Sequence, residues 1–134
     1  MDYKYKGHTV RIEANQVTPP PASAPVIIRV GLWIRNKRIN PMAHSEFEPK
    51  SLSTVEDALA YAKDAARRII DKGIEEFAPS IGMSPIALTA VLDCIESRTS
   101  YRYAAGLLRK EYGTPLDNKR WATIKEWVEG ETGG

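Results

Sequence analysis

The chain changes period near its midpoint. Residues 3–13 alternate, with Thr9, Arg11 and Glu13 pointing one way and Val10 and Ile12 the other, as in a half-buried strand. Residues 26–39 alternate more strongly. Val26, Ile28, Val30, Leu32 and Ile34 share one face, and Ile27, Arg29, Gly31, Trp33, Arg35 and Lys37 share the other. The first face is wholly apolar, so Ile28 and Leu32 are expected in the core. Between the two segments, Pro19, Pro20 and Pro21 remove backbone donors and favour an extended loop, read here as a long hairpin connection. Asn36 and the Asn40-Pro41 pair read as turn chemistry. A short third strand is expected from Ser45 to Pro49, with Phe47 as its inward anchor.

From there the apolar spacing becomes helical. Ser53-Thr54-Val55-Glu56 has the capping-box pattern, serine at the cap and glutamate three later. The helix it opens carries Val55, Ala58, Leu59, Ala62, Ala66, Ile69 and Ile70 as its apolar stripe and is expected to stop at Gly73. Residues 74–81 read as a short helix or turn. Ser84-Pro85 opens a further helix to about Ser97, with Ile86, Leu88, Val91, Leu92 and Ile95 as core candidates. Thr99 or Ser100 caps the next, ending at Gly113, and Asp117 caps the last, ending near Gly130. The expected fold is α+β: a three-stranded antiparallel sheet with one packed helix, then a three- to four-helix unit. The boundary between the two domains is expected at residues 73 and 74.

The chain has 134 residues, enough for one domain or two very small ones, with 43% hydrophobic and 27% charged content. No apolar run approaches the roughly 20 residues of a membrane span. The N-terminus Met1-Asp2-Tyr3-Lys4 lacks a signal-peptide pattern. The single cysteine, Cys94, allows no internal disulfide. These features together predict a soluble cytoplasmic protein with no membrane partner. His8 and His44 have no Cys/His cluster around them, and glycine-rich phosphate loops are absent. Cys94 sits at core spacing, and Glu75-Glu76 reads as solvated charge. No catalytic residue, metal site or cofactor is therefore expected, and the protein is not expected to be an enzyme.

Charge is unevenly distributed. Residues 1–50 hold eight Lys/Arg against four Asp/Glu, a balance of +4, whereas residues 51–80 carry −2 and residues 81–134 are neutral. The basic excess coincides with an unusual outward face: Arg29, Gly31, Trp33, Arg35 and Lys37, joined by Arg38 in the turn and by Arg11 from the neighbouring strand. Guanidiniums bind phosphate bidentately, tryptophan offers a stacking surface, and glycine lets a partner approach. Either this face is open and binds a polyanion, or Trp33 packs beneath the C-terminal helices and the arginines form a solvated rim.

The order Trp33-Ile34-Arg35, Phe47, Ser53-Thr54-Val55-Glu56-Asp57-Ala58 and an alanine-rich helix resembles the three-stranded DNA-binding domain of plant ethylene-response factors and phage integrase arm-binding segments. The resemblance covers roughly residues 3–72. It implies a sheet that enters the major groove through arginine and tryptophan. The proline-rich insert is foreign to that family. In the second half, residues 100–108, Glu111-Tyr112-Gly113, Lys119-Arg120-Trp121, Ile124 and Trp127 resemble the helix-turn-helix of transposases and small regulators. There the start of the second helix reads bases, which implies groove contacts for Asn118, Lys119, Arg120 and Thr123. A plain packing unit of three helices fits the same residues.

Together these features predict a nucleic-acid-binding protein, with DNA the favoured ligand, of the kind used as a small regulator by bacteria or mobile elements. The alternative is a protein-interaction module, such as an immunity or counter-defence protein that binds and inhibits a partner protein.

Overall fold

A computed structural model of the chain describes residues 1–16, 27–47 and 52–129, and confirms the α+β class. The sheet, however, has four antiparallel strands in sequence order: β1 (Asp2–Tyr5), β2 (His8–Gln16), β3 (Ile28–Ile34) and β4 (Lys37–Ile39). A single 3-10 turn (Pro41–Ala43) follows, capped by the Asn40 side chain, which accepts from the Met42 amide. Four helices follow among the described residues: α1 (Val55–Ser80), α2 (Pro85–Glu96), α3 (Tyr101–Tyr112) and α4 (Asn118–Glu129).

The extra strands come from two tight turns. Lys6 and Gly7 have φ of 47° and 81°, and Arg35 and Asn36 have φ of 52° and 65°. Two consecutive left-handed residues make the turn whose twist matches a two-residue hairpin. The expected strand of residues 3–13 is therefore the β1–β2 hairpin, and that of residues 26–39 is β3 and β4. Of the strand expected at Ser45 to Pro49, the described residues Ser45 to Phe47 are not in the sheet, Glu46 and Phe47 lying in a bend, and residues 48–49 fall outside the described residues. The proline-rich connection, residues 17–26, also lies outside them.

The residues cluster into two compact units, Met1–Tyr3 with Thr9–Ile69, and Lys4–His8 with Ile70–Gly134. The first holds most of the sheet and residues 55–69 of α1. Its core is Val10, Ile12, Leu32 and Ile34 from the sheet with Ala58, Tyr61, Ala62, Ala65 and Ala66 from α1, all buried. Small alanines let a helix approach a sheet closely. Thr54, not Ser53, caps α1: its hydroxyl accepts from the Asp57 amide at 3.0 Å. Further along, Asp64 takes the guanidiniums of Arg67 and Arg68 and the Glu46 amide at 2.8 to 3.1 Å, and Arg68 also pairs with Glu46. Phe47 is 45% exposed, tilted against Tyr61 rather than inserted as an anchor. Ile28, near the strand end, is only half-buried.

In the second unit α2 is central: α3 and α4 both pack on it. Leu88, Val91 and Leu92 of α2, Ala104 and Leu108 of α3, and Ile124 and Val128 of α4 are essentially fully buried. Ser84 and Ser100 cap α2 and α3 by accepting from the amides three residues on. Asp117 does the same for α4 through the Arg120 amide. The expected stop at Gly73 is overturned: α1 continues through it to Ser80. Gly73 faces the Trp127 ring, 3.8 Å from where its Cβ would stand, and Phe77 one turn on stacks on that ring at 4.2 Å. Gly7 has a similar packing role, since a Cβ there would meet the Leu92 carbonyl and Val128 Cγ2 at 3.2 Å. Ile86, expected in the core, is 70% exposed.

Candidate nucleic-acid interface

The register of the sheet decides which cations share a face. Arg11 pairs with Trp33, and Trp33 with Arg38. Reciprocal backbone hydrogen bonds at 2.8 Å between Met1 and Ile12 set Asp2 opposite Arg11. A single row thus crosses all four strands: Asp2, Arg11, Trp33, Arg38. The rows beside it pair Glu13 with Gly31 and Asn15 with Arg29. Arg11, Arg29 and Arg38 are exposed and Trp33 is half-buried, so the guanidiniums of this face are open to solvent.

The indole lies along β3 over Gly31, so close that a Cβ on residue 31 would stand 2.6 Å from it. The guanidinium carbons of Arg11 and Arg38 reach the ring from the two flanking strands, at 5.6 and 5.5 Å from its centroid. These are cation–π distances. The arginines differ in their anions. Arg11 is bound to Glu13 at 2.6 Å, with Asp2 at 4.0 Å. Arg29 and Arg38 have no carboxylate within ion-pair distance among the described residues.

Two expected members of this surface are elsewhere. The hairpin at Arg35-Asn36 returns the chain so that Lys37 pairs with Ile34, on the core side of the sheet, although its side chain is exposed at the edge. Arg35 sits in the turn itself, half-buried, where burial lowers its pKa from the usual guanidinium value. Conversely Arg38, expected in a turn, is a strand residue beside Trp33.

The second expected set is divided. Asn118 and Lys119 are exposed in the first turn of α4. Arg120 is half-buried: it donates to the Pro115 carbonyl at 3.1 Å, and a Cβ on Gly82 would stand 3.1 Å from its Nη2. Thr123 donates back to the Lys119 carbonyl at 2.8 Å. Two of the four residues are thus engaged within the helical unit. The junction of α3 and α4 is held by Tyr101, whose hydroxyl donates to the Leu116 carbonyl at 2.7 Å and whose ring tilts against Trp121.

Among the described residues no group of three or more His, Cys, Asp or Glu could hold a metal ion. Cys94 is buried. His8 is buried too, its Nδ1 3.0 Å from the Lys6 carbonyl and its ring edge-on to Trp127. No single described helix is long and apolar enough to cross a membrane. Sequence reasoning missed one feature, a groove of about 420 Å³ in the second unit, between α1 and α2. Its only signal in the sequence is Ile86, an apolar residue one position after the Ser84-Pro85 helix start. No known family model matches this chain, and neither does any curated protein or solved structure.

Proposed function

We propose that the protein binds nucleic acid through the open face of its sheet. The observation that carries this reading is the half-buried Trp33 flanked on its strand row by the exposed guanidiniums of Arg11 and Arg38. An indole between two cations offers a base or sugar a flat apolar surface and offers the neighbouring phosphates charge-assisted donors. Arg38 and Arg29 supply the charge, because Arg11 is already largely neutralised by Glu13. DNA is the favoured ligand, since a sheet ribbon has the width of the major groove. Asn118 and Lys119 of α4 offer a secondary contact.

Fluorescence anisotropy with labelled single-stranded and duplex oligonucleotides tests the reading. Binding at low salt that Trp33→Ala and Arg38→Ala both weaken supports it. Equal binding by those variants, with their fold intact, removes the sheet from the interface. The second reading, a protein-interaction module, is favoured by the exposed apolar residues Ile86, Tyr103 and Tyr112 of the helical unit.

A further inference from the structure

We infer that the groove of the helical unit is a docking site for a partner-protein segment presenting an apolar side chain beside a lysine or arginine. One wall of the groove is Pro85, Ile86, Thr89, Ala90 and Asp93 of α2; the other is Asp71, Ile74 and Glu75 of α1, with Lys6 and Tyr112 also lining it. The buried side chains of Ile74 and Ala90 give it an apolar floor. On its border Ile86 is 70% exposed and Tyr112 is 43% exposed. Large apolar side chains left in water around a concavity mark a surface that gains by being covered.

The charges select the occupant. Lys6 donates to Asp71 at 2.8 Å, and the Tyr5 hydroxyl donates to the same carboxylate oxygen at 2.9 Å. That cation and that anion satisfy each other. Glu75 and Asp93 remain, one on each wall, and neither has an ion-pair partner among the described residues. The groove therefore presents an apolar centre between two carboxylates. A phosphate backbone is repelled there, so the site is separate from the sheet face and does not depend on its function. A second copy meeting this surface about a two-fold axis sets carboxylates against carboxylates. A helix or extended segment with an apolar anchor and an adjacent cation fits both features at once.

The probe is a short amphipathic helical peptide with a leucine face flanked by lysines, against the same peptide with glutamates in place of lysines. With the full chain isotopically labelled, the lysine peptide is expected to shift the amide resonances of Ile74, Glu75, Ile86 and Ala90. Its affinity is expected to fall by about tenfold in Ile86→Ser and comparably in the Glu75→Gln/Asp93→Asn double variant, which keeps the groove's shape. The proposal is overturned by absent binding, by equal binding of the glutamate peptide, or by unchanged affinity in both variants. Concentration-dependent dimerisation that Ile86→Ser abolishes overturns it too, because the occupant is then a second copy. Oligonucleotide binding by Ile86→Ser stays at the wild-type level, which separates this test from that of the sheet.

Discussion

Trp33 rests on Gly31: a Cβ at position 31 would stand 2.6 Å from Cη2 of the indole and 2.7 Å from Cζ3. The glycine is thus the seat that lets the ring lie along the strand between the two guanidiniums. Gly31→Ala should displace the ring at a stability cost of about 1–3 kcal/mol, the range for overpacking. Oligonucleotide affinity should fall and tryptophan emission should change, while circular dichroism stays that of the native protein. Full affinity in a folded Gly31→Ala variant would show that the ring's position does not matter to binding.

Register distinguishes two adjacent cations. Arg38 lies beside Trp33 on the open face, whereas Lys37 pairs with Ile34 on the other. Arg38→Ala should lower oligonucleotide affinity and reduce the salt slope by about 1, as expected for one lost phosphate contact. Lys37→Ala should leave both nearly unchanged. Anisotropy titrations across salt concentration measure the difference directly.

The missed register has a definite physical origin. Alternation correctly assigned Val10, Ile12, Leu32 and Ile34 to the core, because period two survives in the strands on either side of a turn. Alternation by itself did not locate the turns, although Asn36, read as turn chemistry, does lie in the one between β3 and β4. Arg35 and Lys6 occupy left-handed positions that favour glycine and asparagine, so their side chains gave no warning of a reversal. A two-residue turn also reverses the phase of the alternation, since Lys37 pairs with Ile34 three positions earlier, so an uninterrupted count put Lys37 on the wrong face. Gly73 misled for the opposite reason. A glycine at helical spacing reads as a stop, but here the Trp127 ring, 54 residues on in sequence, packs beside it. Such long-range packing is invisible to a local window. The Arg11–Trp33–Arg38 row was legible only as three residues with suitable chemistry, and its alignment required the pairing of strands.

The end of α2 offers a stabilising substitution. Arg98 is left-handed at φ 58°, and its amide and that of Thr99 donate to the Ile95 and Cys94 carbonyls at 3.0 Å, the double bond pattern of a glycine-terminated helix. Arg98→Gly should relieve the Cβ strain and raise stability by about 1 kcal/mol, visible as a higher urea midpoint. A lower midpoint would mean that the Arg98 side chain contributes more than its backbone costs.

Burial separates two residues that alternation placed together. Leu32 is 0% exposed and Ile28 is half-buried. Leu32→Ala should cost about 2–5 kcal/mol, and Ile28→Ala distinctly less, in urea unfolding monitored by circular dichroism.

Stability should fall in alkali. The Tyr5 phenol is raised above its usual pKa by burial and by its hydrogen bond to Asp71; Lys6 is raised chiefly by its own hydrogen bond to Asp71, and Tyr61 by burial. Each group holds its proton more tightly folded than unfolded. Their contribution is complete below about pH 10 and is lost as pH rises through the folded values. The urea midpoint should therefore be level from about pH 7 to 9 and decline above about 10. Asp71→Asn should make that decline shallower, since it removes the shared partner of Tyr5 and Lys6.

The central claim is most directly tested by the affinity of the wild-type chain for a labelled oligonucleotide between about 20 and 200 mM salt. With Arg29 and Arg38 as the arginines of the face that lack a carboxylate partner among the described residues, log affinity should fall linearly against log salt with a slope of at least about −1.5 to −2. Binding that ignores salt, or no binding at the lowest concentration, would contradict a polyanion ligand on the Trp33 face.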